Sequence, residues 1–244
     1  MPSLSLRTQV LLASGLGVAA VAAVSLAAGP LLNASAAYSW TASAVFAGMM
    51  AVVVATVHAH HPFARFGSAN YVTMIRAALV ALAAALLVEP PATAVAWSVV
   101  AATAGLAALD GLDGWLARRT GLASAFGARF DVEVDALLIL VLSLFVWRHD
   151  KAGVWVLACG LMRYAFVAAG WVLPWMAGSL RPTLRGKSVA VAQFAGLALA
   201  LTPMVPRPAS AIVAAITLAT LVWSFAVDVG RLRRRTNFGR ATGR

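Results

Sequence analysis

Eight apolar segments, each close to the length of a membrane-spanning helix, dominate this chain. An α-helix needs about 20 apolar residues to cross the hydrocarbon core of a bilayer. Proline, glycine or charged residues separate the segments, as expected where helices end. The segments lie at 9–28, 38–58, 71–88, 93–117, 125–147, 153–174, 187–203 and 209–228. The pattern predicts an all-α polytopic membrane protein, because only helices and closed barrels satisfy their backbone hydrogen bonds in lipid.

The composition agrees with this fold class, since 62% of the residues are hydrophobic and only 11% are charged. The formal net charge is +11, but the basic residues collect at segment ends and in the tail after position 230. The aromatic residues are scattered through the apolar segments rather than interleaved with the charges, so no nucleic-acid partner is expected. Contact with anionic membrane lipids accounts for the basic tail instead.

The basic residues are unevenly distributed between the two predicted sides of the membrane. With a cytoplasmic N-terminus, only Arg148, Lys151 and Arg207 fall in loops on the outer side. Arginine and lysine accumulate in cytoplasmic loops, so both termini are predicted to lie inside, in a bacterial-type plasma membrane. An alternative is that the first segment is a cleaved signal peptide, given Arg7 before it and Ala34-Ser35-Ala36 after it.

Acidic residues are rare in the chain and strongly clustered. Of eight aspartate and glutamate residues, five fall between positions 110 and 135: Asp110, Asp113, Asp131, Glu133 and Asp135. An ionised carboxylate close to lipid costs roughly 3 kcal/mol or more unless it faces the bundle interior and has a cation or proton to offset it. The cluster therefore predicts a functional site.

The spacing brings four of these carboxylates together. Asp110 and Asp113 are three residues apart and share one helix face. Asp131 and Asp135 are four apart and share a face of the next helix, which the short turn at 118–124 makes an antiparallel neighbour. Four facing carboxylates cannot all stay ionised unaided. The sequence therefore predicts two divalent metal ions, Mg²⁺ or Mn²⁺, which prefer oxygen ligands and also bind nucleotide phosphates.

Small residues accompany these acids, and the whole pattern resembles a known signature. Gly114, Ala117 and Gly127 leave room for a substrate between the helices, and Arg118 is placed to bind a phosphate. From Asp110 onwards the chain matches every fixed position of D-x2-D-G-x2-A-R-x8-G-x3-D-x3-D, the signature of the CDP-alcohol phosphotransferase family. The upstream residues Asn70, Thr73 and Arg76 are similar to the N-x2-T-x2-R opening of the family's first core helix.

The resemblance implies a fold, a reaction and roles for individual residues. It implies a six-helix catalytic domain at 67–230, preceded by two extra transmembrane helices at 1–66 and followed by a basic cytoplasmic tail at 231–244. It implies transfer from a CDP-activated lipid donor to a small alcohol acceptor at the cytoplasmic interface, with release of CMP, by a protein that forms a homodimer. Metal binding is implied for Asp110, Asp113, Asp131 and Asp135, with Asp135 also as the catalytic base. Nucleotide binding is implied for Asn70, Thr73, Gly114, Ala117, Arg118 and Gly127.

Other basic residues bear on the choice of acceptor. The candidates for binding an acceptor phosphate are Arg163, Arg181, Arg185 and Lys187. An arginine inside a span is a functional candidate, whereas cations in a loop also serve to anchor that loop, so both interpretations stay open. The extra positive charge favours CDP-diacylglycerol as the donor and glycerol 3-phosphate or an inositol phosphate as the acceptor. The alternatives are a CDP-choline or CDP-ethanolamine phosphotransferase acting on diacylglycerol and, from another class, an ion or proton transporter.

Three histidines near the end of the second segment are given a structural interpretation. His58, His60 and His61 have no acidic residue nearby, and two of them are adjacent. A solvated interfacial loop is therefore predicted for them rather than a metal site.

Overall fold

A computed structural model describes residues 5–63, 65–120, 124–176 and 183–241 of the chain, with side chains omitted at 58–60, 110–120, 174, 184 and 234–241. The described part of the chain is predominantly helical and contains no strand. Its helices are α1 (Leu6–Leu32), α2 (Ala36–His60), α3 (Ser68–Ala85), α4 (Thr93–Thr120), α5 (Ala125–Arg148), α6 (Leu157–Val172), α7 (Leu184–Leu201) and α8 (Ala209–Ala241). Each predicted segment corresponds to one helix, so the all-α fold class is confirmed.

Five stretches of the described chain are long and apolar enough to cross a membrane. They are Leu6–Leu32, Ala36–Val57, Ser68–Val88, Val154–Val172 and Ala209–Arg233. Within the described residues, α4 contributes a shorter apolar stretch, Thr93–Leu109. The N-terminal half of α5 carries Arg129, Asp131, Glu133 and Asp135, and the first turn of α7 carries Arg185 and Lys187. The chain is thus an integral, polytopic membrane protein whose charged helices carry the candidate site.

The chain divides into two compact units, Met1–Val141 and Leu142–Arg244. In the first unit α1 packs on α2, α2 packs on α3, and α3 packs on α4. The contact of α1 with α2 is close, since a Cβ atom at Gly17 would lie 2.7 Å from Cε1 of the fully buried Phe46. Glycine at this position therefore lets the two helices approach each other.

A buried carboxylate joins the N-terminal helix pair to the end of α3. Glu89 is only 7% exposed, and its Oε1 atom accepts hydrogen bonds from the backbone N–H of Ser35 at 2.9 Å and from the Ser35 hydroxyl at 2.7 Å. Ser35 is the N-cap residue of α2. A negative charge at a helix N-terminus is favourable, because the unsatisfied N–H groups there carry partial positive charge.

His61, in the segment between α2 and α3, is buried, contrary to expectation. Its imidazole is 7% exposed and makes edge-on contacts with Phe63 and Phe126. One ring nitrogen lies 2.9 Å from the Arg65 carbonyl, and the other lies 3.2 Å from the Ser124 hydroxyl. The prediction of a solvated loop is therefore wrong for His61, because the neighbouring phenylalanines fold over it. The side chains of His58 and His60 lie outside the described residues.

In the second unit a lysine side chain is hydrogen-bonded to the loop between α7 and α8. The Lys151 ammonium donates to the carbonyls of Thr202 at 3.0 Å, Pro203 at 3.4 Å and Val205 at 2.7 Å. The Lys151 carbonyl in turn accepts from the Ser210 hydroxyl at 2.7 Å. Positive charge beside the carbonyls at a helix C-terminus is favourable. This contact explains why a lysine occurs on the side of the membrane predicted to be poor in basic residues.

Candidate active site

The centre of the candidate site is a buried arginine of α3 that bridges two carboxylates of α5. The Arg76 guanidinium is only 1% exposed. Its Nη1 atom donates to Oδ1 of Asp131, and its Nη2 atom donates to Oδ1 of Asp135 at 2.5 Å. One side chain therefore contacts both carboxylates, which lie on the same face of α5 as their four-residue spacing predicts.

Burial and charge explain why this arrangement is held together. The carboxylates are partly accessible, with side-chain exposures of 31% for Asp131 and 21% for Asp135, whereas the arginine lies beneath them. A buried guanidinium is costly unless its charge is compensated by hydrogen-bonded anions. The two carboxylates provide that compensation and tie α3 to α5 at this point.

The first turn of α5 packs closely against the first turn of α3. The Ser124 hydroxyl accepts a hydrogen bond from the Gly127 backbone N–H at 3.0 Å, which is the usual N-cap interaction. The Asn70 side chain donates through Nδ2 to the Phe66 carbonyl. A Cβ atom at Gly127 would lie 2.6 Å from Oδ1 of Asn70, so only glycine allows this approach. Two motif residues far apart in the sequence are thus in direct contact.

Asn70 and Thr73 are buried on α3, with exposures of 4% and 3%. The Thr73 hydroxyl donates to the Ala69 carbonyl of its own helix at 3.2 Å. Their roles in nucleotide binding, like that of Gly127, remain predictions. The α4 residues Asp110, Asp113, Gly114, Ala117 and Arg118 belong to the helix, but their side chains lie outside the described residues.

The described part of the site fits a divalent metal ion chemically. Within the described residues there is no group of three or more histidine, cysteine, aspartate or glutamate side chains arranged to hold a metal, since half of the predicted quartet is on α4. The remaining two members, Asp131 and Asp135, supply carboxylate oxygens that already converge on one cationic group. Hard divalent ions such as Mg²⁺ and Mn²⁺ prefer such donors.

The predicted acceptor-binding residues occupy the second unit. Arg163 is half-buried within α6, and Lys187 is exposed in the first turn of α7. Arg185 lies in the same turn, which the Thr183 side chain caps by accepting from the Gly186 N–H at 3.1 Å. Arg181 lies outside the described residues.

The environment of Arg185 is unusual for a loop anchor. Its Nη2 atom donates to Oδ1 of Asp228 on α8, and its guanidinium lies over the Trp223 ring at 5.7 Å from the centroid. Its Nε and Nη1 atoms are buried, and no described residue accepts a hydrogen bond from either of them. Asp228 also lies 3.9 Å from Arg231 of the tail. Buried N–H donors of this kind are costly unless an acceptor forms a hydrogen bond with them.

Sequence reasoning gave no role to Arg76 or to the pair of Arg185 with Asp228. Arg76 was identified only as the last position of a short motif. A stronger signal was available, because a charged residue inside an otherwise apolar helix is rare and is usually paired or functional. The identity of its partners depends on the packing of α3 against α5, which periodicity does not specify.

Comparison with known families agrees with the geometry. The CDP-alcohol phosphatidyltransferase family profile matches residues 66–223, which is more than half of the chain and includes α3 to α7. No curated protein and no solved structure matches the chain. The chain belongs to the CDP-alcohol phosphatidyltransferase family. It is therefore a membrane transferase of the CDP-alcohol phosphotransferase type, and enzymes of this family generally depend on divalent metal ions.

Proposed function

We propose that this protein transfers the phosphatidyl group of CDP-diacylglycerol to a phosphorylated polyol, such as glycerol 3-phosphate or an inositol phosphate, and releases CMP. The observation that carries the proposal is the convergence of Asp131 and Asp135, two fixed positions of the family signature, at one cationic centre. The phosphorylated acceptor is supported by the additional basic residues Arg163, Arg181, Arg185 and Lys187. This reaction places the protein in phospholipid biosynthesis.

In the proposed reaction Asp135 acts as the general base. Its carboxylate accepts the proton of the acceptor hydroxyl, and the resulting oxygen attacks the phosphorus that carries the diacylglycerol group. A new P–O bond to the acceptor forms as the P–O bond to CMP breaks, and the electron pair of that bond leaves with CMP. The phosphoanhydride of CDP is already a good leaving group, so positioning of the two substrates provides much of the acceleration.

The other motif residues bind and orient the donor in this scheme. Asp110, Asp113, Asp131 and Asp135 would hold two Mg²⁺ or Mn²⁺ ions, which would neutralise the diphosphate and the charge that develops on the leaving group. Arg118 would bind the diphosphate through its fork of N–H donors. Gly114, Ala117 and Gly127 would leave space for cytidine, with Asn70 and Thr73 beside it.

The domain boundaries and the orientation are part of the proposal. The catalytic domain would comprise 67–230, with the helices at 1–66 as an addition and 231–244 as a basic cytoplasmic tail. The excess of basic residues on one side supports a cytoplasmic active site in a bacterial-type plasma membrane. A homodimer is proposed from family resemblance alone.

The substrate assignment is tested with the purified protein in lipid nanodiscs containing Mn²⁺. Labelled CDP-diacylglycerol would be supplied with glycerol 3-phosphate, an inositol phosphate, inositol, glycerol or serine in separate reactions. We expect CMP release and a labelled lipid product only with a phosphorylated acceptor. A product from an unphosphorylated acceptor would disprove the acceptor class, whereas product formation from CDP-choline and diacylglycerol would favour the alternative phosphotransferase. A metal-dependent ion flux without any product would favour a transporter.

Replacing Arg185 with glutamine tests acceptor binding. A charge-assisted hydrogen bond contributes about 1.5–3 kcal/mol, so the KM for the phosphorylated acceptor should rise by about 10- to 100-fold. The KM for CDP-diacylglycerol should change little. Steady-state kinetics with each substrate varied in turn would measure both effects.

The matched control is Asp228→Asn, which breaks the same ion pair and leaves the arginine in place. If Arg185 binds the acceptor, this variant should keep or lower the acceptor KM, because a competing anion has been removed. If both variants raise the acceptor KM equally, the arginine serves only to pair with Asp228.

A further inference from the structure

Arg76 is the largest side chain among those that are almost completely buried in the described structure. It lies on the face of α3 that also buries Ala77 and Val80. Desolvation makes arginine a poor choice for filling space, since an apolar residue would pack there at far lower cost. Its presence therefore points to a function of the guanidinium group itself.

The geometry of its contacts indicates what that function is. The planar guanidinium has N–H donors in a fixed fork, and two of its nitrogens reach two different carboxylates. Each hydrogen bond uses one of the two oxygens of its carboxylate. The arginine thus fixes the separation and the rotation of Asp131 and Asp135 on α5.

We infer that Arg76 is a positioning residue for the metal site, which orients Asp131 and Asp135 as ligands through its bridging guanidinium. This inference rests on the proposed role of the two aspartates as metal ligands. Partners that hydrogen-bond to metal ligands fix their orientation, and their loss typically weakens metal binding by 10- to 100-fold. Because the effect acts on the ligands, it is measurable without turnover.

The test is Mn²⁺ binding to the full-length protein in nanodiscs without substrate, followed by electron paramagnetic resonance of free and bound Mn²⁺. Arg76→Lys keeps the charge but supplies a single ammonium, which cannot reproduce the planar fork. We expect the Mn²⁺ affinity of Arg76→Lys to fall by about tenfold or more, with an altered spectrum of the bound ion. The control is Arg148→Lys, the same change at an exposed position at the other end of α5, which should bind Mn²⁺ like the wild type.

Arg76→Gln separates positioning from simple electrostatic competition. A guanidinium that only repels or excludes the metal predicts tighter Mn²⁺ binding when its charge is removed, whereas a positioning residue predicts weaker binding. Unchanged affinity in Arg76→Lys, or tighter binding in Arg76→Gln, would overturn the inference while leaving the proposed metal site intact. A wild-type protein that binds no Mn²⁺ would overturn the metal site and this role with it.

A second set of variants covers the case in which neither arginine substitution yields folded protein. Combining Arg76→Gln with Asp131→Asn and Asp135→Asn removes all three charges, and the two asparagines keep the size of the aspartates. Recovery of a monodisperse, folded protein would show that the arginine is needed because of the two carboxylates. Failure of the triple variant to fold would overturn the inference, since Arg76 would then be required for packing alone.

Discussion

Asparagine in place of Asp135 should lower the turnover number by about 1,000-fold or more, because the amide accepts no proton from the acceptor hydroxyl and carries no charge for a metal. Release of CMP from CDP-diacylglycerol, with both substrates saturating, would measure this loss. Binding of CDP-diacylglycerol, measured separately, should be affected far less than turnover. The protein should remain folded, because Asp135 is only partly buried and Arg76 retains its contact with Asp131.

Glu133→Gln is the matched control for this substitution. The two positions are on the same helix, and the change from an acid to its amide is the same. Glu133 is exposed on a different face of α5 from the two aspartates. The turnover number of Glu133→Gln should therefore stay close to that of the wild type. Equal losses in the two variants would contradict a specific role for Asp135, as would full activity in Asp135→Asn.

The fold class was predictable because one physical constraint dominates the sequence. Each helix in a bilayer must satisfy its own backbone hydrogen bonds over a nearly fixed length, so apolar runs reveal helices directly. The helix ends were less predictable. Helix α8 continues to Ala241, beyond the predicted end at 228, because hydropathy reports the apolar part of a helix and not its charged extension.

Only the relative positions of site residues on the same helix were predictable, and not the contacts between helices. Four-residue spacing placed Asp131 and Asp135 on one face, and the bridging arginine agrees with it. The arginine is 55 residues from the first aspartate and 59 from the second, a separation about which helical periodicity carries no information. The burial of His61 was missed for the same reason, since it depends on Phe126 of α5 packing against the segment before α3.

Replacing Gly127 with alanine should lower the free energy of unfolding by up to about 2 kcal/mol. Alanine is favoured over glycine inside a helix by about 1 kcal/mol, whereas overpacking costs about 1–3 kcal/mol. The clash should dominate, because the added methyl group would lie 2.6 Å from Oδ1 of Asn70. The amide cannot turn away freely, since its Nδ2 atom is hydrogen-bonded to the Phe66 carbonyl. Denaturant unfolding in detergent micelles would measure the change.

Two further variants show whether the contact with Asn70 causes this loss. In an Asn70→Ala background Oδ1 is absent, so Gly127→Ala should become neutral or slightly stabilising, and the double-mutant cycle should give a coupling of about 1 kcal/mol or more. At Gly105 of α4 nothing lies within 4 Å of a built Cβ, so Gly105→Ala should not destabilise the protein. If Gly127→Ala costs the same in both backgrounds, the close approach of α3 and α5 is not what requires glycine. If Gly127→Ala destabilises the protein less in the Asn70→Ala background than in the wild type, the two motif positions form one contact and must be substituted together.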